Sequence, residues 1–345
     1  MKPATAALVV AACALAGATP RAWAQTARTV SASCAPAGGL SFVCGLTNVE
    51  DFLPIEGGRW LVGSSLKLGS AGLYLIDTAR KTARAVALSV APRPDPRYAG
   101  CSAPDLTGLS THGLDVTQHH GDIRVYAVNH GGRESVEIFH LEPRRAAATW
   151  VGCVRLPPGA SGNAIAVLRG GAFAVTKFLD TADKQAFQHI MAGKITGTVY
   201  LWSPGLGFRE VAGTRLCGDN GLAASADGRW LFINAYGTRK IYRVPLSGHG
   251  SSTSVAVDFN PDNLRWAPDG TLFVTGQFIG ARTRDGRDGW AVAKLNPNTM
   301  ALTAVLREPG EAEFDDATST VQVGHTLWFG TFRGDRVAYR GLPRP

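Results

Sequence analysis

Five oxygen-bearing side chains recur at one place in a repeating pattern: Glu50, Asn163, Asn220, Asp262 and Asn263. Each lies seven or eight residues ahead of a turn glycine, namely Gly57, Gly170, Gly228 and, for the last two, Gly270. Two carboxylates and three amides make an all-oxygen set. Such a set suits a hard cation, and its size and flexibility suit Ca²⁺ better than Mg²⁺. No Cys or His stands at a spacing that would hold zinc. Taken singly, each residue has a plainer reading, because Asp219-Asn220-Gly221 is also a turn signal and Asn is common beside turns. The shared offset is what argues for one converging calcium site.

Two histidines belong to the same constellation. His112 stands at the equivalent position of the second repeat, ahead of Gly121, and Asp316-Ala317-Thr318 occupies it in the sixth, ahead of Gly324. His130 ends the strand-like run Val125-Tyr126-Ala127-Val128-Asn129-His130, which should pair with the strand of His112. A histidine pair beside a metal can work as a general base, one ring tuning the other; a buried histidine equally serves as a satisfied core residue. His119, His120, His140, His189, His249 and His325 have no such placement and read as surface or structural. No Gly-x-Ser-x-Gly elbow is present, so serine hydrolase chemistry lacks its marker.

The elements that must position these residues are six copies of a glycine-bearing turn followed by a β-like apolar run. They are Gly57 to Val62, Gly121 to Tyr126, Gly170 to Val175, Gly228 to Phe232, Gly270 to Val274 and Gly324 to Phe329. A spacing of about fifty residues predicts an all-β, six-bladed propeller, in which equivalent positions of distant repeats meet at one axis. A third strand-like run follows in every repeat and a fourth in the first five. In the sixth the segment near Thr29 to Ser33 is expected to supply the outer strand and close the ring, since an open edge is a liability. The connection 181–193 carries Ala186, Phe187, Ile190 and Met191 at helical spacing, as a lid helix or a packed surface helix.

Lys2, the apolar run 4–18 and Ala22-Trp23-Ala24 read as a cleavable export signal. The expected organisation is therefore a signal peptide, 1–24, and one propeller domain, 25–345, periplasmic or secreted. No later stretch is long and apolar enough to span a membrane as a helix. The formal charge of +8 comes from scattered residues such as Arg80, Arg84, Arg144 and Arg282, unlike the clustered basic and aromatic surface of a nucleic-acid binder. Export makes disulfides plausible; spacing alone does not fix their connectivity, and Cys34–Cys44 with Cys101–Cys153 is the pairing expected, leaving Cys217 as a small buried hydrophobe.

The motifs Val49-Glu50-Asp51, Thr111-His112-Gly113, Val128-Asn129-His130, Gly162-Asn163-Ala164-Ile165, Asp219-Asn220-Gly221 and Pro261-Asp262-Asn263 resemble the paraoxonase/arylesterase family, within the wider group of gluconolactonase-like and strictosidine synthase-like propellers. The resemblance implies that Glu50, Asn163, Asn220, Asp262 and Asn263 bind a catalytic calcium, with His112 as base and His130 as its partner. It also implies a second, structural calcium at Asp51, but Ala164 stands where that ion's other acid belongs. The family's disulfide between chain ends has no counterpart, because no cysteine follows Cys217.

The resulting expectation is a secreted calcium-dependent lactonase or arylesterase acting on a small-molecule lactone or ester. Two alternatives stand beside it: a non-catalytic, calcium-stabilised binding propeller, and a gluconolactonase-like sugar lactonase with Asp262 as base. Phe178, Tyr236 and Phe278 end second strands near the presumed mouth, as a pocket wall or as core.

Overall fold

The strand after each repeated turn is buried along most of its length, because both faces of each sheet are covered by neighbouring sheets. Strands covered on both faces read as continuous apolar runs rather than alternating ones. In the computed structural model, which describes residues 28–30, 32–70, 72–282 and 288–342, Trp60–Ser64 and Leu73–Asp77 are buried throughout. The expected signal segment, 1–24, lies outside these residues. The glycine of each repeated turn takes a positive φ, from 55° at Gly324 to 86° at Gly121, a conformation that side chains other than glycine rarely adopt.

The described residues form six antiparallel-cored sheets of four or five strands, arranged as the blades of a propeller. The innermost strands of blades 1 to 6 are Phe52–Ile55, Thr111–His119, Ala160–Val167, Asp219–Ala224, Asn260–Trp266 and Ala317–Val323. Six apolar clusters fill the six interfaces between adjacent blades. Trp60 and Val62 meet Val125 and Phe139 between blades 1 and 2, and Val43 and Trp328 meet Leu61 and Ile76 between blades 6 and 1. Inner strands approach closely where a side chain is missing. A Cβ on Gly113 would lie 2.2 Å from the Asn163 carbonyl oxygen, and one on Gly221 would lie 2.2 Å from that of Asp262.

Blade 6 is closed by two strands from the N-terminal side: the outermost, Ala32–Ala37, overlaps the expected segment only at Ala32 and Ser33, and an unexpected strand, Leu40–Cys44, lies inside it. Arg336–Gly341 pairs with Leu40–Cys44, which pairs in turn with Ala32–Ala37. Arg28–Thr29 instead joins the outer edge of blade 1, against Thr82–Ala85. The displacement has a packing reason: Leu40, Phe42 and Val43 are buried in the two cores flanking blade 6, and Thr29 is exposed. Blade 2 also gains a strand, since Ala87–Val90 runs parallel to its outer strand Ala147–Arg155.

Both expected disulfides are present, Cys34–Cys44 and Cys101–Cys153, and Cys217 is free and buried. The segment 181–193 contains one short helix, Ala186–Met191. Its Ile190 is fully buried with Cys217 and Tyr236, so the helix is packed onto the blades. Among the described residues no helix is long and apolar enough to cross a membrane.

Candidate metal and histidine site

A single local device re-aims side chains at the mouth of the channel. In blades 2 to 6 the ladder between the innermost and second strands slips by one residue. The extra residue lies within 112–113, 163–164, 220–221, 262–263 and at Thr318. A bulge of this kind breaks strict alternation and turns side chains away from the sheet face they would otherwise occupy. Glu50 occupies the corresponding place in blade 1, just ahead of Phe52–Ile55. All seven sequence-derived residues therefore lie at one end of the propeller, Glu50, His112, Asn163, Asn220, Asp262 and Asn263 at the starts of inner strands and His130 just after the second strand of blade 2.

The oxygens there are buried and poorly satisfied. Asn263 Nδ2 donates to Glu50 Oε1 at 2.5 Å, and Gln277 Nε2 donates to Asp262 Oδ2 at 2.8 Å. Among the described residues, Glu50 Oε2, Asn163 Oδ1, Asn220 Oδ1 and Asn263 Oδ1 have no hydrogen-bond partner. A buried acceptor left unpaired costs about 1–3 kcal/mol, so four of them near one mouth need an explanation. An oxygen-seeking cation is one that fits, and the donor set is of the hard type that Ca²⁺ takes. Among the described residues no three His, Cys, Asp or Glu side chains form a metal cage by themselves, and amides make up most of this set.

Electrostatics agree with an uncompensated anionic site. Burial, then the charges of Asp51 and Asp262, push the Glu50 carboxyl well above the usual range. Burial raises Asp262 to about 7, against hydrogen bonds from Gln277 and Asn220. At Glu50 the Asn263 hydrogen bond and the Arg265 guanidinium act in the opposite direction but are smaller than burial.

Asp51, next in sequence, is satisfied differently. Its Oδ1 accepts from Arg265 Nε at 2.9 Å and from the Phe52 N–H, and its Oδ2 accepts from Arg265 Nη2 and from the Leu114 N–H. Arg265 Nη2 also donates to the Leu114 carbonyl at 2.9 Å. The guanidinium thus supplies a fixed positive charge at Asp51, and Ala164 is buried with no polar group to add.

The histidines form a pair. His112 Nδ1 lies 2.9 Å from His130 Nε2, with the rings near edge-to-face, and His112 Nε2 lies 3.7 Å from Glu50 Oε2. Burial, with the neighbouring His130 second, holds His112 well below the ordinary histidine pKa, which favours its neutral, basic form. Asn129 shapes the loop that carries His130: its Oδ1 accepts from Ser110 and Gly131, and its Nδ2 donates to the Gly131 and Arg133 carbonyls. Of the other histidines, His119, His120, His249 and His325 are exposed, His140 pairs with Asp122, and His189 pairs with Asp183.

Sequence reasoning did not single out Glu134, Arg265 or Gln277. Glu134 lies four residues beyond His130, and both its oxygens are within 3.0 Å of His130 Nδ1. Gln277 bridges Asp262 to the Tyr236 hydroxyl, which donates to Gln277 Oε1 at 3.0 Å. None repeats at the offset that marks the other residues. The aromatic trio divides: Phe178 and Tyr236 meet edge-on beside the helix, whereas Phe278 packs on Phe259 beneath Arg307.

In sequence, the chain matches no protein-family model and no curated protein. Solved structures share its fold. A luciferin-regenerating enzyme superposes with a TM-score of 0.57 at 14% identity, over 86% of this chain and 92% of that one. A gluconolactonase from Xanthomonas campestris gives 0.53 at 19%, over 96% and 100%. The calcium-binding protein regucalcin from Agrobacterium tumefaciens gives 0.52 at 11%, over 86% and 90%.

Proposed function

We propose that this propeller is a calcium-dependent hydrolase of lactones or aryl esters, acting on a small molecule in an exported, oxidising compartment. The observation that carries the reading is the 3.7 Å approach of His112 Nε2 to Glu50 Oε2, a buried oxygen with no hydrogen-bond partner among the described residues. A histidine base thereby sits beside an oxygen set suited to a hard cation. The fold shared with a gluconolactonase and with regucalcin supports the same reading. The two disulfides support the compartment.

Glu50, Asn163, Asn220, Asp262 and Asn263 would hold one Ca²⁺. When bound, the ion supplies Lewis-acid polarisation of the substrate carbonyl. His112 Nε2 takes a proton from a water whose oxygen attacks the carbonyl carbon. A carbon–oxygen bond forms, and the carbonyl π pair moves onto its oxygen. When the tetrahedral adduct collapses, the bond to the leaving oxygen breaks and that oxygen takes the proton back from His112. The net change is one water added across the ester, giving a hydroxy acid from a lactone. His130 holds the His112 ring through the 2.9 Å contact. Asp51 is held by Arg265, so one ion rather than two completes the site.

A second reading rests on Asp262, whose pKa of about 7 suits a general base near neutrality, as in a gluconolactonase-like mechanism. Hydrolysis of a panel of lactones and aryl esters, with calcium and then with chelator, tests both. Calcium-dependent turnover that His112→Gln lowers about 10²-fold or more supports the histidine base. Turnover indifferent to His112→Gln transfers the role to Asp262. No turnover, with calcium still raising the melting temperature, leaves a calcium-stabilised binding propeller.

A further inference from the structure

Glu134 is tied to two strands of the site at once. Its Oε1 and Oε2 lie 2.9 and 3.0 Å from His130 Nδ1, and its Oε2 accepts the Gly162 N–H at 3.2 Å, one residue before Asn163. Its own carbonyl accepts the Leu156 N–H at 3.0 Å, which anchors the loop. A carboxylate can only accept, so the contact requires that His130 Nδ1 carry the hydrogen. In a neutral imidazole the other nitrogen then has the lone pair, so His130 Nε2 accepts. His112 Nδ1, 2.9 Å away, must in turn be the donor. The lone pair of the pair as a whole is left on His112 Nε2, the nitrogen nearest Glu50 Oε2.

We propose that Glu134 is the positioning residue of this site: it sets the tautomers of both histidines so that the basic nitrogen is the one beside the metal-type oxygens. This rests on the hydrolase reading for its use in turnover, but the tautomers themselves exist without substrate or metal.

Glu134→Gln isolates the effect. If the amide oxygen keeps the Gly162 N–H at the Oε2 place, the amide nitrogen takes the Oε1 place, 2.9 Å from His130 Nδ1, and its hydrogens favour an accepting Nδ1 over donation to the oxygen 3.0 Å away. The hydrogens then reverse along the chain, and His112 Nε2 becomes a donor. Nitrogen-15 NMR of histidine-labelled, calcium-free protein should show His130 protonated at Nδ1 and His112 unprotonated at Nε2. In Glu134→Gln both patterns should reverse, kcat should fall about 10²-fold or more, and KM should stay within about twofold. Glu134→Asp should retain the wild-type pattern and recover part of kcat, which a purely structural role of the Gly162 contact would not require. A wild-type His130 protonated at Nε2, or a Glu134→Gln variant that keeps its tautomers and its kcat, overturns the assignment. If Glu134→Gln does not fold, the wild-type and Glu134→Asp spectra decide. A wild type without hydrolase activity overturns the hydrolase reading alone, since the NMR pattern still decides the role of Glu134.

Discussion

Arg265 reaches from the inner strand of blade 5 to Asp51 in blade 1, and its guanidinium engages both carboxylate oxygens. Asp51 is fully buried and Arg265 is 6% exposed. The pair lies between two regions of the channel. On one side is the oxygen set, and on the other Arg265 lines a cavity of about 590 Å³ together with Asp115 and Trp266. A buried pair of this kind ties the inner strand of blade 5 to blade 1 past the intervening blade 6, through residues 214 apart in sequence.

Removing one partner should therefore cost more than removing both. Arg265→Met leaves a buried carboxylate unpaired and should destabilise the fold by about 3–5 kcal/mol. Arg265→Met with Asp51→Asn should recover a large part of that loss. Urea unfolding of the two single variants and the double variant measures the coupling. Additive losses would show that the pair does not act as a unit.

Glu50→Gln should separate metal binding from folding. The wild-type carboxylate is costly to bury without a cation, as its upward pKa displacement indicates. The calcium-free variant should melt at or above the calcium-free wild type. In calcium at about a hundredfold excess over Kd, the wild type should gain about 2.7 kcal/mol, and the variant almost none. Thermal scans with calcium and with chelator report both numbers, and an equal calcium-induced rise in the two proteins would remove Glu50 from the site.

Calcium binding should release protons below neutrality. Glu50 and Asp262 are both raised in the folded chain, Asp262 to about 7. Between about pH 4, the unfolded carboxylate value, and that pH, the calcium-free fold holds protons that the unfolded chain has lost. Its stability should therefore fall as pH rises through this window. Calcium displaces those protons, so its affinity should increase from pH 6 to pH 8. Calorimetry at pH 6 in two buffers of different ionisation enthalpy detects the release; identical apparent enthalpies would contradict it.

The two disulfides should differ in worth. Cys101–Cys153 closes a span of 52 residues and Cys34–Cys44 one of 10. On chain entropy alone the longer closure stabilises by about 1.5 kcal/mol more. Replacing each pair by serines and comparing unfolding free energies tests the order. A larger loss at Cys34–Cys44 would mean that its hairpin, the outer part of blade 6, matters more than loop closure.

Much of the candidate site's placement was legible because a repeat fold converts sequence offset into spatial position. Glu50, Asn163, Asn220 and Asp262 need only share a place in their repeats to reach the same end of the channel. His130 was legible as the end of the strand paired with that of His112. Glu134, Gln277 and Arg265 were not. Each acts through a contact that no period encodes: a loop folded back by Asn129, a second-strand side chain turned to the axis, and a guanidinium crossing to the first blade.

The sequence by itself determined the six turns, the buried runs that follow them and the ring of oxygen-bearing positions. These depend on local conformation and on a period that every blade repeats. Only the tertiary structure decided that Leu40–Cys44 lies between the last strand of blade 6 and the outermost strand Ala32–Ala37, because that choice rests on which side chains fill two flanking cores. It alone decided the one-residue slips that re-aim the inner strands, and the Arg265–Asp51 pairing. Those depend on how closely six strands can approach a shared axis, a distance that no segment specifies alone.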